Sequence, residues 1–259
     1  SYLLVSKTID QHSILIFLGI IILASGASAL NQIQEKDQDA LMRRTSKRPI
    51  PAGILSINYA FRFSTFLIVL GWCMLFFAGG IQSFLLGVFS ILWYNALYTF
   101  LKRKTSFAVF PGSITGVVPI MIGWLAAGGK HTDSMLIMIS LFMTLWQLPH
   151  FWILMLRYQK EYKNAGFPTL TDVISTVQVK FIVIFGYLLM QSVVILMIYF
   201  GQITHGMLQK GLAITGFVGL IIFIYDIQRS NSNYKIAFIT INIFMLLVMG
   251  GLIADKLII

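Results

Sequence analysis

Charge is what this sequence has least of. Asp and Glu together number 9 in 259 residues, and all charged residues make up only 11%. Soluble domains carry roughly 25%, so a water-exposed globular surface is excluded. Cysteine is nearly absent too: Cys73 is alone, so no disulfide can form within the chain. The short runs of alternating hydrophobicity that a membrane β-barrel needs are missing, as is a secretory signal with a cleavage site. Two further absences concern chemistry. No phosphate-cradling glycine loop is present, and the basic residues sit in short connections between apolar stretches, mixed with acids, so nucleic acid is not expected as a partner.

What remains is hydrocarbon. Hydrophobic residues make up 58% of the chain, gathered into eight apolar stretches at about 13–31, 57–78, 81–101, 107–127, 134–156, 177–200, 208–228 and 234–254. Each has the ~20 residues that a helix needs to cross the hydrocarbon core. The expected fold is therefore all-α: a polytopic transmembrane helical bundle in the lipid bilayer, one domain over residues 1–259. The opening SYLLVS (Ser1–Ser6) reads as the tail of another apolar segment. It sets the expectation of a preceding helix outside this sequence, nine in all.

The connections between stretches alternate in charge. Lys36, Arg43, Arg44, Lys47 and Arg48 follow the first stretch and Lys102, Arg103 and Lys104 the third. Arg157, Lys160 and Lys163 follow the fifth, and Arg229 and Lys235 the seventh. With Arg62 and Lys180 at adjoining helix ends, these are 15 of the 19 Lys and Arg; Lys7, Lys130, Lys210 and Lys256 fall on the other side. The positive-inside rule makes the rich side cytoplasmic. The net charge of +10 is first an orientation signal, and then an attraction for anionic lipid or ligand. The longer polar connections share that face, whereas Ala78-Gly79-Gly80 on the opposite side is minimal.

The longest polar run, Asn31 to Gly53, lies on the rich side. If the first helix continues through it, Asn31, Glu35 and Asp39 recur every four residues and form one stripe, since four residues advance only about 40° around a helix; Asp37 points elsewhere. An amide and two carboxylates on one stripe offer the hard oxygens that Mg²⁺ takes when it also binds substrate phosphates. The competing reading is a solvated helix end whose acids pair locally. Prolines 49 and 51 then forbid helix, leaving a stiff loop that carries Arg44 and Arg48, residues suited to bidentate phosphate contacts, back towards the acids.

Further candidates follow in order. Tyr94 and Tyr98 stand one turn apart with Lys102 a turn beyond. They are either an interfacial belt or ring faces for a carbocation, with Lys102 and Arg103 facing a leaving diphosphate. Gly112-xxx-Gly116 reads as helix packing, and Pro119 as a kink that opens a cavity. His150 is the one histidine embedded in an apolar stretch, beside Trp146 and Gln147. Such a residue is a functional candidate or a neutral histidine bonded between helices. Glu161 is a further acid that could share a metal with Glu35 and Asp39, and Tyr162 follows it. In the last three stretches, read as scaffold, Asp226 is placed to pair with Arg229.

These blocks resemble a known family. Asn31-xxx-Glu35-xxx-Asp39 followed by MRRTSKRPIPAG is similar to the first acidic motif of the UbiA-type membrane prenyltransferases. YNALYTFLKRKT (94–105), PGSITGVVPIMIGW (111–124), WQLPHFW (146–152) and EYKNAGFPTL (161–170) resemble, in order, the blocks of that family's haem O synthase branch. The likeness covers about residues 1–175. It departs from the pattern where Glu35 stands for the usual Asp, and where Glu161-Tyr162 stands for an Asp-Tyr pair. The second full DxxxD motif of quinone-type relatives is absent, Ala165 standing four residues after Glu161.

The resemblance implies transfer of a farnesyl group from farnesyl diphosphate to a vinyl group of haem B. Mg²⁺ would sit on Glu35, Asp39 and Glu161, with Asn31 ordering its surroundings, and Arg44, Arg48, Lys102 and Arg103 on the diphosphate. Tyr98 would serve the reacting centre, and Trp146, Gln147, His150 and Tyr162 the haem pocket, His150 as an iron ligand or near the vinyl. A bacterial plasma membrane, an active site at its cytoplasmic face and a downstream haem A synthase as a candidate partner complete the expectation. The alternatives are transfer to a quinone precursor or another aromatic acceptor, and a transporter. The clustering of acids at one face argues against the transporter.

Overall fold

The computed structural model describes residues 1–230 and 232–258, the last of these by its backbone alone. All regular structure among them is helical. In chain order the α-helices are α1 (Tyr2–Ser6), α2 (Gln11–Gln34), α3 (Lys36–Leu41), α4 (Ile57–Ile91), α5 (Thr99–Leu101), α6 (Val109–Ala126), α7 (Ser134–Arg157), α8 (Gln159–Asn164), α9 (Thr176–Tyr199), α10 (Gly206–Gln228) and α11 (Lys235–Ile258). A π-helical segment, Leu92–Tyr98, joins α4 to α5.

Among the described residues 7 helical runs are long and apolar enough to cross a membrane, one fewer than the apolar stretches in the sequence. The difference lies in Ile57–Leu101, a run of 45 residues. At about 1.5 Å per residue it would extend ~68 Å, more than twice the ~30 Å hydrocarbon core. It does not run straight. Gly80 takes φ 69° and ψ −169°, and beyond it the Phe84 ring returns to within 6.2 Å of Trp72 and 6.0 Å of Phe76. In one straight helix Trp72 and Phe84 would stand ~18 Å apart along the axis. The chain reverses at Gly79-Gly80, and the second and third apolar stretches become two arms of a hairpin.

Contacts divide the chain into two compact units: Ser1–Lys130 with Lys160–Thr169, and His131–Gln159 with Leu170 onward. In the first unit α2 and the first arm of α4 pack at backbone distance. A methyl group on Gly26 would lie 2.8 Å from Ile68, and one on Gly71 2.9 Å from the Leu23 Cα, the close approach that small residues permit. Ser64 closes the contact by donating to the Gly26 carbonyl at 2.9 Å. Ile16, Leu23, Ile68, Leu75, Ile91, Val118 and Ile122 form the core. Gly112 does serve packing, as its motif suggests: the Tyr98 ring occupies the space a side chain would need, and a methyl group on Gly112 would lie 2.6 Å from it.

The second unit is built on α7, α9, α10 and α11. Tyr187 is fully buried at its centre, its ring against Phe223 at 4.7 Å and Phe244 at 5.8 Å, its hydroxyl donating to the Gly216 carbonyl at 3.3 Å. Helices α10 and α11 serve each other's ends. Asp226 of α10 accepts from the Ala237 N–H at 2.8 Å, and Asp255 of α11 accepts from the N–H groups of Thr204 and His205 at 2.9 and 2.7 Å. The expected Asp226–Arg229 pair is not what forms. Asp226 instead takes the Ser232 hydroxyl at 2.6 Å together with the Ala237 amide, because a helix N-terminus offers N–H donors that lack partners within the helix.

Candidate active site

The acidic stripe survives a break in the helix that carries it. α2 stops at Gln34, and Glu35 (φ −110°, ψ 15°) is the joint to α3. The i to i−4 bonds nevertheless run through it, Glu35 N–H to Asn31 O at 2.9 Å and Asp39 N–H to Glu35 O at 2.8 Å. Asn31, Glu35 and Asp39 are all buried, while the Asp37 side chain is 83% exposed. The stripe and its exclusion of Asp37 thus hold as geometry.

Each buried carboxylate meets one cation. Lys102 Nζ lies 2.6 Å from Glu35 Oε2, and Arg48 Nη1 lies 2.7 Å from Asp39 Oδ2. The loop after α3 is folded onto this end of the helix: the Thr45 hydroxyl donates to the Asp39 carbonyl at 3.0 Å, and Met42 is buried against Ala165 and Phe167 with Tyr162 alongside. Glu161 faces the same loop and accepts from the Arg44 N–H at 3.3 Å. Burial lowers the Lys102 pKa from its usual 10.5, and the Glu35 carboxylate partly opposes the shift. Burial raises the Tyr162 pKa, with Arg44 opposing.

From Lys102 a ladder of rings leads inward. Its ammonium stands 5.4 Å from the centre of the Tyr98 ring, and Tyr98 stacks on Tyr94 at 5.9 Å. Tyr94 in turn lines a cavity of about 200 Å³ between α2, the second arm of α4 and α6, with Pro119 on its wall. The π-helical segment carries both tyrosines, and π turns of this kind frequently occur at functional sites. It is locked in place by amides that sequence reasoning passed over. Asn95 donates to the Ala27 carbonyl at 3.0 Å and to Gln34 Oε1 at 3.1 Å, while Gln34 donates back to the Asn95 carbonyl at 3.0 Å. The available signal was an amide side chain inside an apolar stretch.

Two candidates sit elsewhere than at an open site. Asn31 donates to the Thr99 hydroxyl at 3.0 Å and so ties α2 to α5. Arg103 donates to the Gln34 carbonyl, at the C-terminus of α2 where a cation meets the negative end of the helix dipole. The remaining candidates divide between the units. Tyr162 belongs to the first. In the second, Trp146, Gln147 and His150 lie along α7. The His150 ring is 4.8 Å from both Trp146 and Phe238, and its Nδ1 is buried without a partner. Asn242 of α11 hydrogen-bonds the His150 side chain while donating its own amide to the Phe238 carbonyl at 2.6 Å. Asn242 lies in a stretch read as scaffold.

Among the described residues no three acids, histidines or cysteines gather as a ready metal cage; Glu161 instead accepts from the loop that covers the two acids, at the Arg44 N–H. The donor set still suits Mg²⁺, which is commonly held by one or two carboxylates plus substrate phosphates. Glu35 Oε1 is buried and has no hydrogen-bond partner, a charged oxygen left facing inward one turn from Asp39.

The UbiA prenyltransferase family model matches residues 3–248. A protoheme IX farnesyltransferase of Nitratidesulfovibrio vulgaris is 43% identical over 151 residues, 58% of this chain and 53% of that protein. One of Oleidesulfovibrio alaskensis is 30% identical over 262 residues, 99% of this chain and 89% of that protein. The chain thus aligns with about half the length of the first of these relatives and most of the second. Among solved structures, the apo UbiA homolog from Aeropyrum pernix K1 superposes with TM-score 0.78 at 16% identity, over 98% of this chain and 94% of that one. A UbiA homolog from Archaeoglobus fulgidus bound to GPP and Mg²⁺ does so with TM-score 0.71 at 15% identity, over 98% and 90%.

Proposed function

The chain belongs to the UbiA prenyltransferase family, and from that premise we propose that it transfers the farnesyl group of farnesyl diphosphate to a vinyl group of haem B, making haem O. One observation carries the reading: the line from the Glu35–Lys102 pair through the stacked Tyr98 and Tyr94 to an apolar cavity. It offers, in order, what an allylic diphosphate needs: charge for the leaving group, ring faces for the cation and hydrocarbon for the tail. The haem acceptor is supported by the names of the relatives and by the absence of a second DxxxD motif.

In the proposed reaction the allylic C–O bond breaks and diphosphate leaves with the electron pair. The farnesyl C1 then bonds to the outer vinyl carbon, and water adds at the inner one with loss of a proton. Bound at Glu35 and Asp39, Mg²⁺ would supply the Lewis acid that draws charge from the departing diphosphate. With phosphate present, Lys102 and Arg48 exchange their carboxylate partners for phosphate oxygens, and Arg44 lies on the same loop. The rings of Tyr98 and Tyr94 present π faces that stabilise the developing cation, and their packing excludes water that would quench it. His150, with Trp146 and Gln147, is proposed to contact the porphyrin. Asn242 holds the imidazole by one nitrogen and leaves Nδ1 for the iron or the vinyl side. A bacterial plasma membrane and a haem A synthase acting on the product belong to the same proposal.

The test is to reconstitute the protein with haem B, farnesyl diphosphate and Mg²⁺ and analyse the pigment by mass spectrometry, with 4-hydroxybenzoate offered in parallel. A farnesyl-hydroxyl adduct of haem is expected. A prenylated benzoate with no haem adduct would overturn the acceptor. Glu35→Gln and Asp39→Asn should each lower kcat about 100- to 1000-fold, the scale of removing one preorganised charge from a transition state, while haem binding, read from the Soret band, persists.

A further inference from the structure

We propose that Trp146 and His150 hold the water that becomes the hydroxyl of the product, with His150 Nδ1 as the base that takes its proton. The inference deepens the haem reading and rests on it, and it draws on the second unit alone.

Two buried polar atoms on α7 have no hydrogen-bond partner: the indole Nε1 of Trp146 and the imidazole Nδ1 of His150. They belong to rings one helical turn apart, whose centres are 4.8 Å from each other. An indole N–H only donates. The role of Nδ1 follows from Asn242. The amide nitrogen of Asn242 donates to the Phe238 carbonyl at 2.6 Å, so its oxygen is the end left for the imidazole, which Asn242 hydrogen-bonds. Because Nδ1 is unpartnered, that bond is made by Nε2, and an oxygen acceptor requires Nε2 to carry the proton. A neutral imidazole has only one such proton, so Nδ1 is a bare lone pair. One turn of helix thus presents a donor and an acceptor on rings in contact. Water satisfies both at once, and a buried water makes roughly two to four hydrogen bonds.

Iron is the other candidate for Nδ1, and the surroundings oppose it. Nδ1 adjoins the ring carbon that carries Cβ. The Trp146 and Phe238 rings stand 4.8 Å from the imidazole, and the Phe151 ring 5.4 Å. A porphyrin plane lies across its metal–nitrogen bond, so a haem bound at Nδ1 would press into those rings and into α7. A water fits where a plane does not. When the farnesyl C1 bonds to the outer vinyl carbon, the inner carbon is left cationic. The water oxygen bonds to that carbon, one of its O–H bonds breaks, and the proton passes to Nδ1. Asn242 Oδ1 steadies the resulting imidazolium through Nε2–H, and the proton leaves to solvent before the next turnover. A weak base suffices, because water bonded to a cationic carbon is itself a strong acid. Without the base the cation sheds a proton from the neighbouring carbon, and the product is an alkene lighter by one water. His150 is thus a catalytic residue and Asn242 a positioning residue.

The experiment reads the mass of the product after reconstitution with haem B, farnesyl diphosphate and Mg²⁺. The wild type should give the hydroxylated adduct. His150→Ala should join farnesyl to haem more slowly and raise the ratio of alkene to alcohol about tenfold or more, a modest share of what a positioned base contributes. Added imidazole should restore the alcohol. Trp146→Phe, which keeps a ring and removes the N–H, should shift the ratio the same way. The Soret band of bound haem should keep its position in both variants. If His150→Ala does not fold, His150→Asn, which can hold a water but is not a base, takes its place. An unchanged product ratio would overturn the proposal, and a Soret shift in the His150 variants would assign the residue to iron instead. Nitrogen NMR of protein with isotope-labelled histidine, without haem, reads the tautomer. The proton of His150 should lie on Nε2 in the wild type and be shared between both nitrogens in Asn242→Leu. A proton on Nδ1 would overturn the proposal whatever the acceptor. A wild type with the expected tautomer but no haem adduct would remove the haem reading, and the role of the water with it.

Discussion

In the proposed reaction Lys102 is the residue on which the chemistry turns, because it faces a buried carboxylate and a ring at once. Its ammonium form is the one that would hold a diphosphate. Burial lowers its pKa from 10.5, so the neutral amine takes over at lower pH than in an exposed lysine. The sign follows: kcat/KM for farnesyl diphosphate should fall as pH rises towards 10.5, starting below the ordinary lysine range, since kcat/KM reports ionisations of the free enzyme. Lys102→Arg keeps a cation at every accessible pH and should abolish this alkaline limb, even where it lowers kcat by changing the geometry. A limb that persists in Lys102→Arg would assign the titration to another group. The same pairing gives Glu35 and Asp39 cations that metal and phosphate must draw away together.

At the scale of elements, much was legible in the sequence because it was local. The i, i+4, i+8 spacing of Asn31, Glu35 and Asp39 shows in any short window, and so does the Gly79-Gly80 pair between two apolar runs. Gly80 adopts a backbone conformation open essentially to glycine alone. Gly80→Ala should therefore cost about 1–3 kcal/mol, seen as a lower Tm in detergent, although the added methyl group would meet no atom within 4 Å; an unchanged Tm would mean that the hairpin turn carries no strain. What the sequence did not reveal depends on distant partners. The Asn95–Gln34 lock joins residues 61 apart, the Arg103–Gln34 contact 69 apart, and the Asp255 cap 50 apart. Periodicity says which face a residue occupies but not which side chain waits there. The π turn was hidden for a related reason, since its one extra residue per turn leaves no mark on composition.

At the scale of the molecule, the first unit has two unlike ends. One holds the C-terminus of α2, the α3 loop, the start of α4 and α5, with Lys36, Arg43, Arg44, Lys47, Arg48, Arg62, Lys102, Arg103 and Lys104. The other end, with the start of α2, the Gly80 turn and the end of α6, holds Lys7 and Lys130. The Glu35–Lys102 and Asp39–Arg48 pairs are at the basic end. Because basic connections are retained in the cytoplasm, we propose that diphosphate is bound from the cytoplasmic side. That assignment is open to chemistry from either side. Cys73 is the only native thiol, so in a Cys73→Ser background a single new cysteine reports one position. Lys104→Cys should react with a membrane-impermeant maleimide in inside-out vesicles and be silent in intact cells. Lys130→Cys should do the reverse. The opposite pattern would place the acids outside, where a cytosolic prenyl diphosphate could not reach them, and would overturn the proposed orientation together with the assignment of the basic end as the entry for substrate.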